Sequence, residues 1–187
     1  MTTPQEPLAQ WSDSIQAQHL PRYDELPTID LYMDQVVAVI EEVLHLFERD
    51  AKEQRITPAM INNYVKLKVL PAPVKKRYNR AHLCHLLIIC MLKPVLAIPE
   101  IRDLIQLQLQ NRDIRTVYDE FCTLQEQSLV QSLSTLRQQI ATPDACLADR
   151  TLQYAVQAHT QKMIAEKMID LQFPDAEPSK DKKRERS

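Results

Sequence analysis

Eight cations and no acid occupy residues 54–99: Arg55, Lys66, Lys68, Lys75, Lys76, Arg77, Arg80 and Lys93. The flanks are acidic. Residues 1–53 carry three cations against eleven acids, a formal −8, and residues 100–187 carry twelve against fourteen. The formal −2 of the whole chain therefore hides a basic module, and a concentrated positive field of this kind attracts an anionic partner. Phosphate suits these groups, because each lysine or arginine set on a nucleic-acid phosphate releases a condensed counterion. The same stretch holds Asn62 and Asn63, whose amides pair bidentately with an adenine edge, and Lys66, which reaches guanine or phosphate. Lys75, Lys76, Arg77 and Arg80 suit the backbone beside the groove. Thr57, Lys68 and Tyr78 complete the candidate set, with Tyr64 expected mainly in the core and its hydroxyl at the rim.

Other chemistries find little support. The 187 residues include no glycine, and phosphate-cradling loops, dinucleotide fingerprints and nucleophile elbows all need it. Glu41 and Glu42, or Asp119 and Glu120, are sequential pairs that point to different sides of a helix, so they do not converge as an acid and base must. Solvated faces account for them. His19, His45 and His159 stand alone. His82, Cys84, His85 and Cys90 share one helix, yet the cysteines fall in apolar surroundings and read as small buried hydrophobes. Cys122 and Cys146 lack paired spacing. Neither a metal, a cofactor nor an enzymatic activity is expected. No disulfide framework and no apolar run of membrane-spanning length are visible, and the leader lacks a signal-peptide pattern; the expected setting is a reducing cytoplasm.

The elements that must position the basic stretch are mostly helices. Residues 1–27, with four prolines, are expected to form a flexible arm, with a short helix near residues 11–18 as the alternative. Val36, Ile40 and Phe47 belong to an amphipathic pattern that predicts a helix beginning at about Asp30 and running to about Lys52, with Asp30 as its cap, or Thr28 if it starts earlier. Thr57 and Pro58 are a cap and first position for a helix ending at Leu67. Prolines 71 and 73 stop it, and residues 74–80 form a short basic segment. Asn79 caps a third helix, apolar around most of its circumference and hence central. A fourth runs from about Glu100 to Gln110. Ile114, Val117, Phe121 and Leu124, then Leu129, Leu133, Leu136 and Ile140, recur at coiled-coil steps with one interruption, which predicts a dimerisation seam. Another amphipathic helix covers residues 147–171, and the charged tail 174–187 is expected to be disordered.

The order of signals over residues 57–105 resembles the DNA-binding domain of MerR-type regulators. A capped helix ends in Asn63-Tyr64; Lys68-Val69-Leu70-Pro71 turns the chain; Lys75-Lys76-Arg77-Tyr78 stands where that family has a basic wing. Ala81-His82-Leu83 and Leu96-Ala97-Ile98-Pro99-Glu100-Ile101 follow. The upstream Leu26-Pro27 and Ile29-Asp30-Leu31-Tyr32-Met33-Asp34 are unlike MerR. Together they resemble a bacterial family described as a domain of unknown function, whose members join that leader to a MerR-like helix-turn-helix. Two departures stand out: the wing has no glycine at its tip, and a longer helix replaces the motif's first.

Composition predicts an all-α fold with at most one small hairpin. The resemblance, over about residues 26–107, implies a MerR-like winged helix-turn-helix in residues 28–110. The heptad steps, like the long-helix dimers of MerR-type regulators, imply a helical dimerisation region in residues 111–173. The expected function is sequence-specific regulation of transcription by a homodimer on double-stranded DNA, with helix 58–67 in the major groove and wing 74–80 on the backbone. The rival expectation is a non-enzymatic interaction module that binds an acidic partner protein through the same surface. Neither the operator nor any small-molecule effector is readable.

Overall fold

In the computed structural model, residues 5–45, 56–141 and 146–174 are described. They form seven α-helices: α1 Gln5–Gln16, α2 Met33–Leu44, α3 Pro58–Lys66, α4 Arg80–Leu92, α5 Ile98–Gln108, α6 Ile114–Ile140 and α7 Leu147–Gln172, with a 3-10 turn at Tyr23–Glu25. Among the described residues the only β pairing is a pair of isolated bridges, Leu31 with Tyr78 and Val74 with Arg77.

α4 is the axis of the core. Its nine residues from His82 to Cys90 are all buried, because α2, α5 and α6 enclose it. No polar stripe is needed on a helix with neighbours on every side. Asn79 caps it as its sequence suggests: its side-chain oxygen accepts from the His82 amide at 3.3 Å. Thr57 likewise caps α3, accepting from Met60 N at 3.2 Å, and Asp113 caps α6, accepting from Thr116 N at 2.7 Å.

The N-terminal segment is no flexible arm where it is described. α1 lies along α6, its Ser12 almost fully buried and bonded to Arg137 Nε at 3.0 Å. Beyond α1 the chain is tied down by acids of α6. Glu126 accepts from Leu20 N at 3.0 Å and pairs with Arg22 at 2.5 Å. Asp119 accepts from Tyr23 N at 2.7 Å. Asp119 is thus a fastening for the leader rather than part of a solvated face, and Glu120 pairs with Arg112. Prolines suggested looseness, but their extended backbone leaves N–H and C=O groups free for side chains of α6. Tyr118 completes the fastening by donating its hydroxyl to Pro21 O at 2.7 Å.

α2 starts at Met33 with Tyr32 as its cap residue, not Asp30 or Thr28. Leu31 is held in extended conformation by its bridge to Tyr78, which delays the helix. The expected continuation to Lys52 falls partly outside the described residues, as do residues 175–187 of the tail.

Candidate nucleic-acid interface

The acid-free stretch folds into a helix, a tight turn and a small hairpin. α3 buries Ile61 and Tyr64 and leaves Asn62, Asn63 and Lys66 exposed. At its end Lys68 N donates to Val65 O at 3.1 Å and Val69 N to Tyr64 O at 3.1 Å. These two bonds form a Schellman closure, which needs a left-handed residue between helix and exit. Glycine is the usual occupant; here Lys68 takes it with φ 58°. Val69 and Leu70 then drop into the core.

Four residues on, Val74 and Arg77 exchange backbone hydrogen bonds at 3.1 and 2.9 Å. The two residues between them, Lys75 and Lys76, have φ of 50° and 62°. Positive φ at both central positions is the requirement of a type I′ hairpin, ordinarily met by Asn-Gly. The hairpin without glycine is therefore closed on two lysines. Among the described residues these two and Lys68 are the residues with positive φ. Each non-glycine residue held there costs about 1 kcal/mol. Lys66, Lys68, Lys75, Lys76 and Arg77 are all exposed, and among the described residues none of them has an acidic partner.

The hairpin is docked to the leader. Leu31 N donates to Tyr78 O at 2.8 Å and Tyr78 N to Leu31 O at 2.9 Å. Tyr32, next in line, accepts from Arg77 Nη2 at 2.7 Å while its ring lies under the guanidinium at 4.5 Å. A hydrogen bond and a cation–π contact together fix Arg77 in one orientation and leave its other donors outward. Sequence reasoning passed over Tyr32; an exposed tyrosine beside an alternating leader was its only signal.

Other members of the candidate set serve the packing. Tyr64 is buried and its hydroxyl is pushed up to about 12 by desolvation. Tyr78 is buried against the edge of His82, with ring centroids 5.4 Å apart. Arg80 turns inward, donating to Leu26 O at 2.9 Å and pairing with Asp24 at 3.4 Å over the Tyr23 ring. The inward turn of Arg80 and the burial of Tyr78 correct their place in the candidate set, while Tyr64 lies in the core as expected with its hydroxyl buried rather than at the rim. Thr57 caps, as described. The histidines of α4 use their ring nitrogens on protein oxygens: His82 faces Asn79 Oδ1 at 2.7 Å and Ala72 O at 3.3 Å, and His85 faces Ala81 O at 2.7 Å. Burial pushes the Cys90 and Cys122 thiols up to about 11 and raises Cys84 further, so these thiols stay protonated. Among the described residues no group of three or more metal-ligating side chains comes together.

The expected dimer seam on α6 is partly used within the chain. Val117 and Leu133 are buried, and Ile114 and Phe121 pack on the core. Leu129, Leu136 and Ile140 are half-buried, and Leu124 is exposed. An open cleft of about 480 Å³ lies beside Lys68, lined also by Arg102, Asp103, Gln106, Gln172 and Phe173.

Residues 21–121 match the family described as "Domain of unknown function (DUF1836)". The chain belongs to this family. The DUF1836 span begins where the leader is fastened to α6 and ends in the half of α6 that packs against α4. It thus takes in the whole of the basic stretch, with α1 and α7 outside it. Comparison with curated proteins and with solved structures gives no match. Among the described residues no helix is long and apolar enough to cross a membrane.

Proposed function

We propose that this DUF1836 protein is a sequence-specific, DNA-binding transcriptional regulator that acts as a homodimer. In this reading the unit from α2 to the hairpin is a MerR-like winged helix-turn-helix. α3 enters the major groove with Asn62, Asn63 and Lys66, and the hairpin sets Lys75, Lys76 and Arg77 on the backbone. One observation carries it: among the described residues lysines occupy all three left-handed positions, and all three lie in the stretch of sequence that has no acid. Asn or Gly would hold those turns at lower cost, so stability does not explain the lysines, whereas a need for outward positive charge does. Strain of this kind concentrates where function over-rides local preference.

The test is selection of bound fragments from genomic DNA, followed by anisotropy titrations at rising salt on a selected site. Specific binding should weaken with salt at about −0.9 in log–log slope per phosphate contacted. Absence of any binding to double-stranded DNA at low salt sinks the proposal, and recovery of a defined acidic protein on the same lysines would establish the interaction-module alternative.

A further inference from the structure

α7 is a helix without surroundings over much of its length. Residues 155–164 are exposed on every side, ten in succession, and in the whole helix Ile169 is the buried residue. Its main packing within the chain is against α5, through the side bearing Ala165, Ile169 and Phe173, and the Tyr154 hydroxyl donates to Ser132 O at 3.3 Å. Away from that side stand Leu152, Val156, Met163, Ile164, Met168 and Leu171, each 48–67% exposed. Helices in proteins draw most of their stability from packing an apolar face, and six large side chains left in water exceed the scatter of single exposed residues on an ordinary surface.

We infer that this face is covered by α7 of a second copy of the chain, packed antiparallel about a two-fold axis. The first argument is charge. α7 carries three acids and three cations, Asp149, Glu166 and Asp170 against Arg150, Lys162 and Lys167. A helix made for a membrane surface carries an excess of lysine and arginine, and one made for a charged partner is biased to one sign; a balanced helix suits itself. The second is register. Asp149 and Lys167 are separated by about five full turns of an α-helix, so they lie on one line with the apolar residues between them. An antiparallel copy sets each Asp149 opposite the partner's Lys167, twice by symmetry. A parallel copy would set like on like. The third is area: the six side chains offer on the order of 600 Å² per protomer, close to the roughly 800 Å² per partner of a standard stable interface.

This deepens the regulator reading by naming the surface of its dimer, and rests on that reading only for the use to which the dimer is put. The experiment is sedimentation equilibrium on the full chain and on Val156→Glu, Met163→Glu, Asp149→Lys, Lys167→Asp and the double swap, with helicity checked by circular dichroism. The wild type is expected to be a dimer at micromolar concentration. Each buried-glutamate variant should raise the dissociation constant roughly a hundredfold with the fold intact. Each single swap should weaken the dimer several-fold, and the double swap should restore it. A monomeric wild type overturns the inference. So does a dimer that survives Val156→Glu and Met163→Glu but is lost in Leu124→Glu on α6, and failure of the double swap to restore the dimer overturns the antiparallel register. DNA titration of the monomeric variant separates the two proposals, because its hairpin and α3 should still bind a fragment at low salt.

Discussion

α4 and α7 are both long helices with many apolar residues, and their surroundings are opposite. α4 has nine successive residues buried and α7 has ten successive residues exposed. In α4 every side has a neighbour, so its apolar content is spent on one chain's core. In α7 the apolar content on the outer side is unspent, and among the described residues it stays exposed. Hydrophobicity along a helix therefore calls for burial, while the arrangement of the other helices says whether that burial is found inside the molecule.

The sharpest way to break the contrast is a cavity in each helix. Leu86→Ala in α4 should cost about 3–5 kcal/mol of stability by denaturant unfolding, whereas Leu152→Ala in α7 should leave the unfolding of a dilute, monomeric sample nearly unchanged. Equal losses would mean that α7 is supported within the monomer after all. A smaller effect concerns the leader that closes the core around α4. Tyr118→Phe removes the donor to Pro21 O from a buried site and should cost about 1–3 kcal/mol; a loss within error would show that α1 and the ion pair of Arg22 with Glu126 hold the leader unaided.

The basic surface stands between these extremes, built on core residues yet facing water. Replacing Lys75-Lys76 by Asn-Gly supplies the residues that a type I′ turn prefers. Stability should rise by about 1 kcal/mol while DNA affinity falls and its salt slope flattens by up to about 1.8. A gain in stability with unchanged DNA binding would leave the lysines without a function. Changing Asn62 or Asn63 to Ala should instead alter which fragments are selected, and a uniform loss over all sequences would argue against base reading.

The smallest expected effect is one of pH, again in α4. Burial holds the His85 imidazole below its ordinary value of 6.5, against the opposing effect of its hydrogen bond to Ala81 O. The unfolded chain thus takes up this proton first as the pH falls below that value. Stability should be level with respect to this group above about 6.5 and should fall as the pH drops through the window beneath it. His85→Gln should flatten that part of the stability profile, and an unchanged profile would assign the acid sensitivity elsewhere.

Much of this was legible in the residues. Thr57-Pro58 and Asn79 mark two helix starts because capping is local chemistry, settled by groups within three residues of one another. The central place of α4 was legible because no face of it is polar. The acid-free window delimited the basic surface without any coordinates. The rest depends on groups far apart in the chain. Arg80 is a surface cation by its sequence and an internal tie once Asp24 and the carbonyl of Leu26 are brought beside it. Tyr32 gains its hold on Arg77 only through the bridge of Leu31 with Tyr78. Asp119 and Glu126 look solvated until the backbone of residues 20–23 arrives against α6. Near neighbours were enough to mark helices α2 to α7 and the gathering of positive charge, but not α1, which lies in a leader read as a flexible arm. Only the tertiary structure decided which cations remain free, which turns force lysines into the left-handed region and which apolar face is left over, because each of those is a question of what the folded chain brings alongside.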